Sequence, residues 1–287
     1  MVIKPGSDAW RRLITASKVP AILGVSPYAD AYTVFHEMRG NIPGFDGNNA
    51  TERGTYLEPA ALAWFRDTHP DLIFTPSQTV FHPEHDTWAA TPDGFTGDRG
   101  LVEAKTAQYS DSWGRQHTAE VPTDYLAQTA WQLIVTGADK VYVPVIFGQP
   151  FEFRLYVVTR EDVAAFIPGI ITAVRDFEAR LAANDAPEPT GPAAYDAARA
   201  LHPGIVRKSE APISDDVALE YIDAVTAEKE AEARAKVAKA RLADAMGDAQ
   251  HAFWAGAKIA SRISKNGGTP YVQAARTLPI TTKEVAA

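Results

Sequence analysis

The sequence contains no cysteine. Disulfides, thiolate metal sites and iron–sulfur clusters are therefore excluded, and any bound metal must be held by oxygen or imidazole. Long apolar runs are also missing. No stretch approaches the roughly 18 apolar residues that a membrane-spanning helix requires. The opening residues, MVIKPGSDAW, lack the apolar segment of a secretory signal, so a cytoplasmic address is expected. Positive charge is in deficit, with 28 Lys and Arg against 36 Asp and Glu and a net charge of −8. Chains that grip nucleic acid are usually basic, because phosphates are met by Lys and Arg. Net charge does not say where charges lie, however, and a metal-dependent site needs carboxylates of its own. Bulk apolar surface is plentiful. Hydrophobic residues make up 46% of the 287 residues, with 6 Trp and 12 Phe, enough for a large core in one or two domains.

Apolar spacing near 3.6 predicts helix–loop–helix over residues 7–40, with helix starts at Ser7-Asp8 and at Thr15-Ala16-Ser17. Residues 41–49 are a turn-rich loop, and residues 50–69 a helix with Leu57, Ala61, Trp64 and Phe65 on one face. Pro59 sits in its first turn or kinks it. Strands are expected at Gln78–His82, Thr87–Ala90 and Leu101–Thr106. A helix follows at 123–137, ended by Gly137, then a hairpin through KVYVPVIF and FEFRLYVVT, and a helix over Arg160–Asn184. Residues 1–185 thus read as an α/β unit, residues 186–212 as a linker, and residues 213–287 as an appendage. The appendage comprises a long charged helix over 214–247 and a hairpin near 252–264.

Pro92-Asp93-Gly94 precedes Glu103-Ala104-Lys105 by eight intervening residues. Side chains alternate along a strand, so Glu103 and Lys105 share a face while Val102 and Ala104 point the other way. Asp93, on the turn leading into that strand pair, can set its carboxylate beside Glu103. Two converging carboxylates suit a hard divalent cation, Mg²⁺ or Mn²⁺, with the Ala104 carbonyl as a further ligand. Lys105 can then orient water or neutralise charge developing on phosphate. Taken singly, a PDG turn and an exposed ExK pair are both common. Tyr125, Gln128 and Gln132 form one polar stripe on the 123–137 helix, as phosphate-backbone donors or simply as polar surface. Leu126, Ala130, Leu133 and Ile134 form the stripe that suits a core.

The ordered set is more specific than its pieces. Thr15-Ala16-Ser17, the Arg53-Gly54-Thr55-Tyr56-Leu57-Glu58 helix, Pro92-Asp93-Gly94, Glu103-Ala104-Lys105 and the Tyr125/Gln128/Gln132 helix follow in that order. The set resembles the lambda exonuclease and YqaJ-type viral recombinases, within the RecB-like nucleases, across residues 7–185. The resemblance implies a PD-(D/E)xK, restriction-endonuclease-like core, a mixed β-sheet flanked by helices. It implies Asp93 and Glu103 as metal ligands, Lys105 as the catalytic lysine and Glu58 as a supporting acid. Tyr125 and Gln128 then lie beside the active centre, and Ser17 and Thr91 in a 5′-phosphate pocket with Arg12, or else Arg11. It further implies digestion of one strand of duplex DNA from its 5′ end. The product is a 3′ single strand for an annealing protein, and the family includes ring-shaped trimers. Two alternatives remain at this point: a structure-specific endonuclease on the same scaffold, and an inactive DNA-binding or assembly protein. A carboxylate-pair glycosidase leaves the lysine and the glutamines unexplained.

Overall fold

The computed structural model describes residues 7–279 and divides into two compact units, one ending at Ile205 and one starting at Val206. No helix among the described residues is long and apolar enough to cross a membrane.

The first unit opens with α1 (Asp8–Arg11), β1 (Ile14–Thr15), α2 (Val19–Ile22) and α3 (Ala31–Met38). Ser7 caps α1 as expected. Thr15 and Ser17 do not start a helix, because Ile14 and Thr15 instead form a strand against Trp88 and Ala89. Both are β-branched and buried, so the tertiary partner outweighs the local capping signal. Buried Lys18 ties this turn together by donating to the carbonyls of Arg11 and Leu13. Helix α4 (Asn49–Thr68) begins with a capping box between Asn48 and Thr51. Pro59 lies inside it, beyond its first turn.

Next come β2 (Phe74–Pro76), β3 (Val80–His82), β4 (His85–Ala90), β5 (Gly94–Thr96), β6 (Gly100–Val102) and β7 (Lys105–Tyr109). They are followed by α5 (Thr123–Thr136), β8 (Lys140–Gln149), β9 (Phe151–Thr159), α6 (Arg160–Val163), α7 (Ile167–Ala183) and α8 (Ala193–Leu201). The main sheet is mixed: β2, β5, β6 and β8 follow in order, β7 also pairs with β8, and β9 flanks β8. A smaller sheet runs β1, β4, β3. Trp88 and Trp131 pack at 4.8 Å in the core, and the Trp131 indole donates to the Ala89 carbonyl at 3.1 Å, which docks α5 onto β4. Helix α4 covers the other face of the main sheet through Phe65, Val102, Tyr142 and Leu155.

The strand expected over Leu101–Thr106 is broken at Glu103–Ala104, and Pro144 explains the break. Strands β6 and β7 pair with β8 in parallel, Val102 with Tyr142 and Lys105 with Val145, so they keep one register. The Glu103 N–H still reaches the Tyr142 carbonyl at 2.9 Å. The next rung requires an N–H from position 144 to the Glu103 carbonyl. Proline has none, so the ladder lapses at residues 103 and 104 and resumes at Lys105.

Two further differences from the sequence reading have similar causes. The 160–184 helix is divided into α6 and α7, with Pro168 at the start of α7, where a missing N–H costs nothing. Residues 193–201, within the expected linker, form α8, which buries Ala194 and Ala197. The second unit contains α9 (Asp215–Met246) and a sheet of β10 (His251–Trp254), β11 (Ala257–Ile263) and β12 (Tyr271–Ala274). The third strand, β12, was not foreseen.

Candidate active site

Strand β5 runs antiparallel to β6 with Gly94 opposite Val102, so Asp93 stands opposite Glu103. The Asp93 N–H donates to the Val102 carbonyl at 2.9 Å, and the Ala104 N–H donates to Asp93 Oδ2 at 2.8 Å. The PDG turn and the ExK strand are thus locked together by one backbone–backbone hydrogen bond and one from a backbone N–H to the Asp93 carboxylate.

Glu103 is buried and fully engaged. Its Oε1 accepts from Lys105 Nζ at 2.7 Å and from Gln128 Nε2 at 2.6 Å, and its Oε2 accepts from Gln132 Nε2 at 2.6 Å. Lys105 Nζ also donates to Gln128 Oε1 at 3.0 Å and lies 4.9 Å from the centre of the Tyr125 ring. Glu103 and Lys105 do share a face, and that face meets α5. Helix α5 presents Tyr125, Gln128 and Gln132 to them, and Gly137, at φ +70°, ends it in the left-handed cap that glycine favours.

Burial pushes the Asp93 carboxyl up to about 8, and the charges of Glu103 and Glu58 push the same way; Lys105 and the Ala104 N–H oppose them. Glu58, on α4, is exposed at the surface but partly desolvated beside the acidic pair; desolvation first and then Glu103 raise it, with Lys105 opposing. Burial works against the Lys105 ammonium, but the adjoining Glu103 outweighs it and holds the lysine above its ordinary value. Negative charge is therefore in excess of what one lysine can balance. Among the described residues no three acidic or histidine side chains are gathered into a ready-made metal cage. The oxygen-only donor set and the uncompensated charge nevertheless suit a hard divalent cation at Asp93 and Glu103.

The remaining expected residues divide into two groups. Strand β1 ends at Thr15, opposite Ala89, and Ser17 lies in the turn that follows, closed by the Lys18 N–H on the Thr15 carbonyl; Thr91 directly precedes Pro92-Asp93. The two hydroxyls are held by neighbours: Ser17 with Thr15 at 3.1 Å, Thr91 with Thr79 at 3.0 Å. Arg12 lies at the opposite end of β1, lining a cleft with Thr87 and Glu178, and Arg11 lines a neighbouring cleft with Glu37 and Arg39. The strand direction therefore separates both arginines from the acidic pair. Gln132 also departs from expectation: it is fully buried and turned onto Glu103, so it is no surface donor to phosphate. Arg53 was overlooked. It is exposed on α4, with its guanidinium 3.4 Å from Gln108 of β7. Its place one helical stretch before Glu58 in the same motif was the available signal.

Residues 8–139 match the model of the YqaJ-like viral recombinase domain. The matched span contains every residue of the cluster from Glu58 to Gln132. The structure of LHK-Exo in complex with dAMP is similar, with a TM-score of 0.50 and 25% identity over 62% of this chain and 92% of that one. LHK-Exo is described as an alkaline exonuclease from Laribacter hongkongensis. A Eubacterium rectale structure assigned as an exonuclease gives a TM-score of 0.52 at 14% identity, covering 75% of this chain and 97% of its own, and shares the fold. Among curated proteins nothing matches the chain.

Proposed function

We propose that the protein is a Mg²⁺-dependent exonuclease that hydrolyses linear duplex DNA from 5′ to 3′ and leaves a 3′ single strand for recombination. The observation that carries this reading is the interlocked set of Asp93, Glu103, Lys105 and Gln128. It is supported by the YqaJ-like domain and by the likeness to an alkaline exonuclease. Asp93, Glu103 and the Ala104 carbonyl would hold the cation, with Glu58 beside them, and Mn²⁺ would substitute for Mg²⁺. When bound, the cation supplies Lewis acidity toward phosphate and lowers the pKa of water.

The chain's own groups do the rest. Gln128 bridges Lys105 and Glu103 and so fixes the ammonium against the acid. Lys105 Nζ orients the attacking water and offsets charge on the phosphoryl oxygens. Tyr125 walls the lysine from solvent. Ser17 and Thr91 offer hydroxyls to a terminal phosphate, and Arg53 takes the cationic role first given to Arg12. These contacts are to backbone atoms, so base identity matters little. Action in the cytoplasm, assembly as a ring-shaped homotrimer and delivery of the product to an annealing protein belong to the same reading.

The test is Mg²⁺-dependent digestion of linear duplex labelled on each 5′ end in turn, beside a closed circular duplex. Early release of the 5′ label, with the circle intact, is expected. Cleavage of the circle would establish an endonuclease instead. No cleavage in Mg²⁺ or Mn²⁺ would reject the assignment.

A further inference from the structure

The sheet of the second unit has one covered face and one open face. Ala252, Ala260 and Val272 pack against Leu242, Ala243 and Met246 of α9. The pleat sends their strand neighbours to the other side. There the register aligns His251 with Ser261 and Ser261 with Gln273, making a polar row across all three strands. The His251 ring nitrogen and the Ser261 hydroxyl meet at 3.0 Å.

Exposed aromatic rings stand at both ends of this row. Phe253 is 65% exposed and Tyr271 42%. Phe253 pairs with Lys258, and Tyr271 pairs with Ile263, two residues before Lys265. Each aromatic end therefore has a lysine beside it. From strand spacings, Phe253 and Tyr271 lie roughly 16 Å apart along the sheet and roughly 10 Å across it. The turn between β10 and β11 is tight, with Ala255 at φ 48° and Gly256 at φ 79°, which holds the Phe253 end of the sheet in register.

Charge completes the pattern. In a chain of net charge −8, residues 247–279 carry Lys258, Arg262, Lys265 and Arg276 against Asp248 alone. Arg262 is turned onto the Gly247 carbonyl and toward Asp248, which spends that acid. The open face thus shows aromatic rings, a polar row and lysines, and no carboxylate of its own to repel a polyanion.

We propose that the open face of the β10–β12 sheet binds single-stranded DNA, with bases stacked on Phe253 and Tyr271 and phosphates met by Lys258 and Lys265. Stacking on aromatic rings with nearby cations is tolerant of sequence, as a strand of arbitrary sequence requires. The inference rests on the duplex-degrading reading, because the strand left by that reaction is the ligand.

The experiment uses the full chain in metal-free buffer with chelator, where digestion does not intervene. Fluorescein-labelled oligo(dT) is titrated and anisotropy read for the wild type, for Phe253→Ala/Tyr271→Ala and for Lys258→Gln/Lys265→Gln. All four side chains are solvent-exposed or partly so, and melting midpoints check the fold. The aromatic variant should bind about tenfold more weakly or worse. The lysine variant should lower the slope of log affinity against log salt by about 1.4. Both variants should retain digestion of short duplexes in Mg²⁺. Unchanged oligo(dT) affinity and slope in both variants would overturn the proposal, including the case where the variants instead lose self-association. A wild type that binds oligo(dT) through this face but digests nothing in Mg²⁺ would sink the nuclease reading and leave this one standing.

Discussion

Gln132, which solvent does not reach, donates its amide to Glu103 Oε2 at 2.6 Å, while its own Oε1 has no hydrogen-bond partner among the described residues. An unpartnered buried carbonyl is costly, so the chain accepts a local penalty to hold one carboxylate oxygen in place. Under the proposed function Gln132 is a positioning residue that acts through Glu103.

Replacing it should separate these effects. Gln132→Leu removes the orphan acceptor but leaves Glu103 Oε2 undirected. Stability should change by only about 1 kcal/mol, because the two terms oppose each other. The Mg²⁺ concentration for half-maximal activity should rise, with much of the rate recovered at high metal. A metal titration beside denaturant unfolding measures both. An unchanged metal requirement would reduce Gln132 to a core residue.

Asp93→Ala and Lys105→Ala remove the groups proposed to hold the cation and to orient water. Each should lower Mg²⁺-dependent digestion by about 10²-fold or more while the protein stays folded. Release of acid-soluble nucleotide from linear duplex is the assay. Near-normal rates in either variant would remove the site.

The raised Asp93 carboxyl has a consequence for pH. Its folded pKa, about 8, lies above its ordinary 3.8. Its contribution to stability is therefore fully present below about pH 4 and is lost as pH rises toward 8. Asp93→Asn should make the metal-free protein more stable at pH 8, by on the order of 1–3 kcal/mol, and leave it inactive. The difference should vanish near pH 4. Denaturant midpoints at the two pH values, with chelator present, decide it.

Pro144 offers a test at the level of the backbone. Pro144→Ala restores an N–H opposite the Glu103 carbonyl, which should close the missing rung and join β6 to β7. The new amide should be protected from hydrogen exchange, and stability should hold or rise by about 1 kcal/mol. Rapid exchange at residue 144 would show that something other than the proline breaks the strand.

A terminal-phosphate pocket at Ser17 and Thr91 predicts that duplexes with a 5′ phosphate are digested faster than those with a 5′ hydroxyl. Ser17→Ala and Thr91→Val should narrow that ratio. Arg12→Ala should leave it unchanged, because Arg12 lies with Thr87 at the far end of β1. Equal rates on both substrates for the wild type would dispose of the pocket.

Local chemistry was legible in the chain itself. Alternation put Glu103 and Lys105 on one face, Gly137 ended α5, and the hairpin of β8 and β9 showed in two apolar runs around Pro150. The order of short motifs was enough to suggest the family. What the sequence by itself determined were features set by neighbours a few residues away: periodicity, caps and turns.

Only the tertiary structure decided the rest, because it depends on which distant segments meet. Thr15 reads as a helix start until β4 lies beside it. Gln132 reads as a polar surface residue until α5 is pressed onto the ExK strand and its amide finds a buried carboxylate. Arg12 reads as a neighbour of Ser17, only five positions away, until the parallel pairing of β1 carries the two to opposite ends of a strand. Pro144 reads as an oddity of a hairpin until its missing N–H is seen to face Glu103. Each outcome turned on a hydrogen bond or a strand direction between residues far apart in the chain, which residue spacing alone does not encode.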